Sequence, residues 1–464
     1  VTSDQTLKCR DDKSPVDLIP TISEAQAAPT FTLPEAASCS WAKQGEPIGP
    51  DTLRPRIEPW LTALFQSEHL SLLVGSGLTH AIHRMTAKKN LPGMNEVPFT
   101  HYQAEISTEA KRSAEAANRG DGNIEDQFRA ANELLRGLEI LAHSDKGLEQ
   151  KAQEFRAEVS RLIEEFAASI LAGENGVITA DAERLENTLN CLVSFLMSFA
   201  SRTGTRDRLH IFTTNYDRCV ELGAEVAGLH LIDRFVGSLA PIFRSSRLDV
   251  DMHYNPPGIR GEPRYLEGVA RFTKLHGSVD WVDTAHAIRR VGVPFGAMSI
   301  EPYLQAPGLN DAEALRLMIY PNAAKDRETA AYPYVELFRD FATAVCRPNS
   351  TLVSFGYSFG DEHINRVIED MLTIPSTHLV VISYSDPLRR IMRTYKRLGR
   401  PAQITLLIGD HLGDLQSLVD YYLPKPAIDR TTFRMAELLK ARWGTNHTLP
   451  LAATASHGEE GPES

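Results

Sequence analysis

Cysteine is scarce. Cys9, Cys39, Cys191, Cys219 and Cys346 are scattered, odd in number, and contain no C-x-x-C pair. That excludes a four-cysteine zinc ribbon and fits a reducing compartment. Long apolar runs are also lacking: the most apolar helical stretch, 189–200 (LNCLVSFLMSFA), is too short to span a bilayer and carries two serines. Positive charge is in deficit, with a formal net charge of −11, so no global basic surface exists to neutralise nucleic-acid phosphates. The first ten residues show no basic stretch followed by an apolar run, and no signal peptide is expected. These absences predict a cytoplasmic protein with no membrane span and no direct nucleic-acid binding. No internal repeat is evident.

The chain has 464 residues, enough for two or three structural units. Residues 1–50 hold six prolines and many Ser, Ala and Thr residues without periodicity; they read as an extended or partly disordered N-terminal arm. The patterned part is 51–425, and 426–464 read as a C-terminal helix and flexible tail. Within 51–425, short apolar runs end in small residues and lead into helical patterns. They are Leu70–Val74, His210–Thr214, Phe272–Leu275, Thr351–Phe355, Leu379–Ser383 and Ile404–Ile408. Such runs are strands buried on both faces. The fold class is therefore α/β, a Rossmann-like parallel sheet flanked by helices. A helical insert is expected at about 100–205. It contains helical periodicity over 124–141 and 148–171, and a further helix capped by Thr179 and running to about Ser201. Asp361 is a plausible N-cap for the helix carrying Ile364, Val367, Ile368 and Met371.

Four turns carry candidate chemistry. Gly75-Ser76-Gly77 closes the first strand; glycines there let the backbone approach a pyrophosphate, with helix-start amides facing the anion. The same turn is also compatible with a purely structural role. Thr213-Thr214-Asn215-Tyr216-Asp217 follows the second strand, and Asn215 and Asp217 either reach a ligand or cap the next helix. Leu275-His276-Gly277-Ser278 offers His276 as a general base near neutral pH, or as a structural histidine. The segment 355–363 (FGYSFGDEH) is a second glycine-bearing turn, suited to half of a nucleotide or to an ordinary capped loop.

The order and spacing of VGSGLT, FTTNYD, TKLHGSVDW and FGYSFGDEHIN, with 318–325 (MIYPNAAK) before a helix, resemble the sirtuin-like superfamily. The likeness is to its bacterial branch of defence-associated NAD⁺ hydrolases, and it covers roughly residues 55–425. Two departures stand out. The paired cysteines of the deacylases' zinc module are missing, and so is their acidic-aromatic loop after Gly77. Both put acyl-lysine recognition in doubt and leave the NAD⁺ pocket intact.

The resemblance implies NAD⁺ as substrate, no metal, and cleavage of the nicotinamide–ribose bond. It assigns Asn215 to the nicotinamide ribose and attacking water, His276 to proton abstraction, and Asp217 to orientation and negative charge. Gly75, Ser76 and Gly77 would hold the pyrophosphate, with Thr214 beside them. Gly356 and Ser358 would meet the adenosine half, and Ser383, with Tyr384 and Ser385, the adenine ribose. It further implies a gated effector of anti-phage defence by NAD⁺ depletion (abortive infection). Such an effector works as a homo-oligomer or with a HerA-like ATPase or short Argonaute. The competing readings are an NAD-dependent deacylase, a non-catalytic NAD/ADP-ribose sensor that controls assembly, and a Rossmann oxidoreductase. The last needs an acidic residue ~20 positions after the glycine turn, and the stretch near Asn95–Glu96 has no preceding strand.

Overall fold

The computed structural model describes residues 5–21, 29–35, 37, 39–86, 91, 95–116, 122–202, 206–254, 264–284, 287–306, 308–309 and 332–425. The segment 318–325 and the C-terminal helix and tail expected at 426–464 lie outside the described residues.

The apolar runs form a largely parallel sheet. Its strands in chain order are β1 (Gln5–Lys8), β2 (Val16–Pro20), β3 (Phe31–Thr32), β4 (His69–Val74), β5 (His210–Thr213) and β6 (His230–Ile232). They continue as β7 (Val269–Lys274), β8 (Ser350–Phe355), β9 (His378–Ser383) and β10 (Ile404–Ile408). The spatial order is β3-β2-β1-β10-β9-β8-β4-β5-β7-β6. From β10 to β6 every pairing is parallel. Strand order reverses between β4 and β8, and such a switch point opens a crevice at the strands' carboxyl ends.

Helices cover both faces. On one side lie α1 (Pro50–Phe65), α2 (Ser76–Thr86), α6 (Ala182–Ala200) and α7 (Cys219–Val226); Leu61, Ile82, Phe195 and Val220 are fully buried against the sheet there. On the other lie α8 (Tyr334–Val345), α9 (Glu362–Leu372) and α10 (Arg390–Leu398), through Phe341, Ile368 and Ile391. Burial on both faces explains why the strands read as continuous apolar runs rather than alternating ones. Among the described residues no helix is long and apolar enough to cross a membrane.

Between β4 and β5 stand α3 (Gln103–Ala116), α4 (Ile124–Ala142) and α5 (Gly147–Ile178), which share a separate core of Phe99, Phe128, Phe155, Leu162 and Phe166. The fourth helix of this region, α6, packs on the sheet instead, so the separate core ends with α5. Thr179 is not the N-cap of α6. It closes α5, and Asp181 caps α6 by accepting from the Arg184 N–H (3.1 Å).

The N-terminal segment adds strands to the sheet. β1 pairs antiparallel with β10, and β2 and β3 extend the sheet beyond it. Buried Gln5 fixes the junction: its Nε2 donates to Asp410, and its Oε1 accepts from the His411 and Leu412 amides.

His378, at the head of β9, bonds Thr405 Oγ1 through Nε2 (2.8 Å) and meets the Trp60 ring edge-on. Burial holds its pKa down at about 4, against an ordinary 6.5. Folding thus favours the neutral ring. The stabilisation is complete above pH 6.5 and is lost as pH falls from there through about 4. At ~1.4 kcal/mol per unit, the group accounts for on the order of 3 kcal/mol. Denaturant titrations at pH 7 and at about pH 4 or below should show His378→Gln losing less stability on acidification than the unmutated protein, by about that amount.

Candidate active site

The two glycine turns interlock at the switch point. The Gly75 N–H donates to Phe355 O (2.9 Å) and the Gly77 N–H to Gly356 O (3.0 Å). A Cβ on Gly77 would stand 2.5 Å from Gly356 Cα, and one on Gly75 2.5 Å from Gly356 O. Gly356 itself has φ +63°, a left-handed conformation that glycine adopts freely. The Gly75 and Gly77 amides are both spent on the β8 turn, and the glycines serve the close approach of two backbones. Ser76 keeps its place on the cavity wall.

Buried Asn215 follows β5. Its Nδ2 donates to Gly75 O (3.0 Å) and to Thr79 Oγ1 (3.0 Å). The Thr79 hydroxyl in turn donates to Asp217 Oδ2 (2.6 Å). The chain Asn215–Thr79–Asp217 fixes the Asn215 amide so that its Oδ1 is the atom offered to a ligand. Asn215 does not cap α7. Asp217 links the two elements: Oδ2 accepts from Thr79, and Oδ1 accepts from the Cys219 N–H in the first turn of α7 (3.0 Å).

Buried Lys274 secures this loop from below. Its ammonium donates to the backbone oxygen of Asp217 and to Glu221 Oε1 (3.0 Å). Burial, opposed by Lys274, lifts the Glu221 carboxyl to a pKa of about 7. Two residues further, His276 is almost wholly buried, and its Nε2 lies 3.4 Å from His363 Nε2.

The insert roofs the site and is tied to the same loop. Tyr216 packs edge-on against Phe166, and its hydroxyl donates to Glu125 Oε1 (3.1 Å). Glu174 of α5 accepts from the Arg218 backbone N–H (2.8 Å) and from its guanidinium. Beneath this roof lies a cavity of about 810 Å³, and an adjoining one of about 290 Å³ opens beyond the interlocked turns. The two share Ser76, His80, Ser358 and Arg390 in their walls.

Gly75, Ser76, Thr214, Asn215, Asp217, His276 and Ser358 line the larger cavity. Gly77, Gly356 and Ser383 line the smaller one, with Tyr384 and Ser385. The Ser383 hydroxyl donates to Ser385 O (2.9 Å). Asp361 occupies the N-cap position of α9, but its side chain makes no capping bond there; it lines the larger cavity instead.

Sequence reasoning missed Thr79, His80, His83 and Arg390. The first three belong with Ser76 to one polar stripe of α2, while Leu78, Ala81 and Ile82 form its buried side. That helical spacing was the available signal. Burial lowers the pKa values of His80 and His83, opposed by the Asp217 charge, so both rings present neutral donors and acceptors near neutral pH. Arg390 begins α10 after the left-handed Arg389; no local pattern marks it.

Residues 209–399 match the family model of the SIR2-like domain. Over that span the chain is similar to a SIR2-like domain. The match runs from β5 through α10 and so includes Asn215, Asp217, His276, Gly356, Ser358 and Ser383; the turn at Gly75–Gly77 precedes it. The search of curated proteins gave no match.

Proposed function

We propose that this chain binds NAD⁺ across the two adjoining cavities and hydrolyses its nicotinamide–ribose bond, giving nicotinamide and ADP-ribose. The observation that carries this reading is the meeting of Asn215 and His276, from two neighbouring strands, in one cavity with Gly75 and Ser76. Its volume lies within the ~300–1,000 Å³ usual for ligand sites, and the smaller cavity gives room for the adenosine end.

Nicotinamide departs as a neutral base, taking the electron pair of the C1′–N bond, and the transition state resembles an oxocarbenium ion. Asn215 Oδ1, held by its two donor bonds, accepts from a ribose hydroxyl or from the attacking water. His276 takes the proton that water loses as its oxygen bonds C1′. Asp217 adds negative charge near the developing cation. Ser76 and Arg390, on the wall common to both cavities, suit the pyrophosphate between the two riboses.

An unrestrained NAD⁺ hydrolase would exhaust its own cell, so the proposal includes gating, as in anti-phage defence. The bonds from Glu125 and Glu174 couple the position of the insert to the Asn215 loop. A homo-oligomer contact or a partner such as a HerA-like ATPase or a short Argonaute, seated on the insert, would act through them. A monodisperse monomer with full activity contradicts the gating.

Chromatography of NAD⁺ incubated with the purified chain, with and without an acyl-lysine peptide, separates the readings. Nicotinamide release without peptide supports the hydrolase, whereas release only with peptide means a deacylase. NAD⁺ bound and never cleaved means a sensor. Arg390→Ala should weaken NAD⁺ binding by ~10–100-fold, the equivalent of ~1.5–3 kcal/mol for a hydrogen bond to a charged group. Unchanged affinity in calorimetry would remove Arg390 from the pyrophosphate.

A further inference from the structure

We propose that His276, His363 and Asp361 form a Zn²⁺ site at the edge of the larger cavity, and that zinc bound there silences hydrolysis. The site itself stands on geometry alone; only the silencing rests on the reading of His276 as the base.

The ligand atoms come from two separate turns, the one after β7 and the start of α9. One nitrogen from each imidazole and one carboxylate oxygen lie within 4.8 Å of one another. The two Nε2 atoms are 3.4 Å apart. Zinc–imidazole bonds of ~2.0–2.1 Å at tetrahedral angles require a nitrogen–nitrogen separation of about 3.3–3.4 Å. The rings are therefore already spaced for a shared tetrahedral ion. The same separation is long for a direct hydrogen bond, whose N–H donors usually sit ~2.9–3.0 Å from an oxygen acceptor.

The surroundings hold two of the three ligands in place. Phe338 meets the His363 ring edge-on, with centroids 4.7 Å apart. The Tyr357 hydroxyl donates to the backbone oxygen of Asp361 (3.1 Å) and bonds Asn365 Oδ1 one turn along α9 (3.0 Å). Support of this kind orients metal ligands beyond the donor atoms themselves. Two histidines and a carboxylate suit zinc and leave a fourth position open. Mg²⁺ and Ca²⁺, which favour oxygen ligands, are poorly served by two imidazoles.

Zinc at this site changes what His276 can do. With Nε2 on the metal, the ring's proton sits on Nδ1, and neither nitrogen can accept another. The base is then occupied while the rest of the pocket is untouched.

The test uses the full chain, stripped of metal. Co²⁺ is added first to read tetrahedral coordination from its visible bands, and Zn²⁺ is then titrated against a chromophoric chelator. One equivalent of Co²⁺ should bind with the intense bands of a tetrahedral site, and Zn²⁺ should displace it; Mg²⁺ should not. His363→Ala, and the nearly isosteric Asp361→Asn in case the first variant folds poorly, should each bind Zn²⁺ at least ~10-fold more weakly, the lower end of what losing even a supporting partner costs. One equivalent of Zn²⁺ should suppress nicotinamide release by the unmutated protein, with recovery on adding chelator. His363→Ala, measured against its own metal-free rate, should be at least ~10-fold less sensitive. Equal zinc affinity in the unmutated protein and both variants would overturn the site, as would the absence of a bound equivalent. Nicotinamide release unaffected by bound zinc would overturn the silencing. Zinc bound as described in a protein that never releases nicotinamide would support the site and count against the hydrolase reading.

Discussion

His276→Ala should slow NAD⁺ cleavage by ~10²–10⁴-fold, the usual contribution of a positioned general acid–base group, while NAD⁺ affinity should stay within a few-fold. The split follows from where the ring sits. His276 lies on the wall of the larger cavity after the β7 turn, whereas Ser76, Ser358 and Arg390 lie on the wall common to both cavities, where the proposed reading puts the length of NAD⁺. A loss confined to the rate places His276 at the reacting atoms. A parallel loss of affinity would make it a wall of the pocket instead. Single-turnover kinetics and calorimetry on the same preparation measure both quantities, and a thermal melt checks that the buried substitution has left the fold intact.

Glu174→Ala has the largest expected effect on stability. Arg218 and Glu174 are both buried, and the carboxylate accepts from the Arg218 backbone N–H as well as its guanidinium. The guanidinium also reaches the backbone oxygens of Val293 and Pro294. Removing the carboxylate strands a buried cation, at a cost of ~3–5 kcal/mol. The double replacement Glu174→Leu with Arg218→Met removes charge and partner together, so its loss should be smaller than the sum of the two single losses. Urea titrations of the unmutated protein, Glu174→Leu, Arg218→Met and the double variant test this, and strict additivity would show that the pair is not coupled. Hydrolysis should fall in Glu174→Ala even well below its melting temperature, because the pair ties the roof of the cavity to the loop that carries Asn215.

The parallel sheet was legible because strands buried on both faces write themselves as unbroken apolar runs. Leu70–Val74, Thr351–Phe355 and Ile404–Ile408 each fall within a strand of the sheet. The N-terminal strands were not legible. β1 pairs with a strand some four hundred positions away, and nothing in a proline-bearing segment announces so distant a partner. The motif turns could be found from their residues, but their detailed geometry could not. Whether the Gly77 amide faces a ligand or Gly356 depends on a second turn meeting the first. Asp361 looked like a helix cap because Asp commonly is one, yet here its side chain leaves the helix end and lines the cavity beside His276. Thr79, His80 and His83 share a polar stripe of α2, but its spacing does not tell that the insert folds over it. Arg390 likewise reaches the site through the fold of β9 and α10 rather than through any pattern around it.

The most direct test of the central claim is chromatography of NAD⁺ incubated with the purified chain and no peptide, run beside Asn215→Ala. The account predicts nicotinamide and ADP-ribose in equal amounts from the unmutated protein. Asn215→Ala, which loses the amide oxygen offered to the ribose and water, should release them at least ~10²-fold more slowly, the scale of losing one preorganised active-site hydrogen-bonding group. Equal release by both proteins, or NAD⁺ left whole by the unmutated chain, would contradict it.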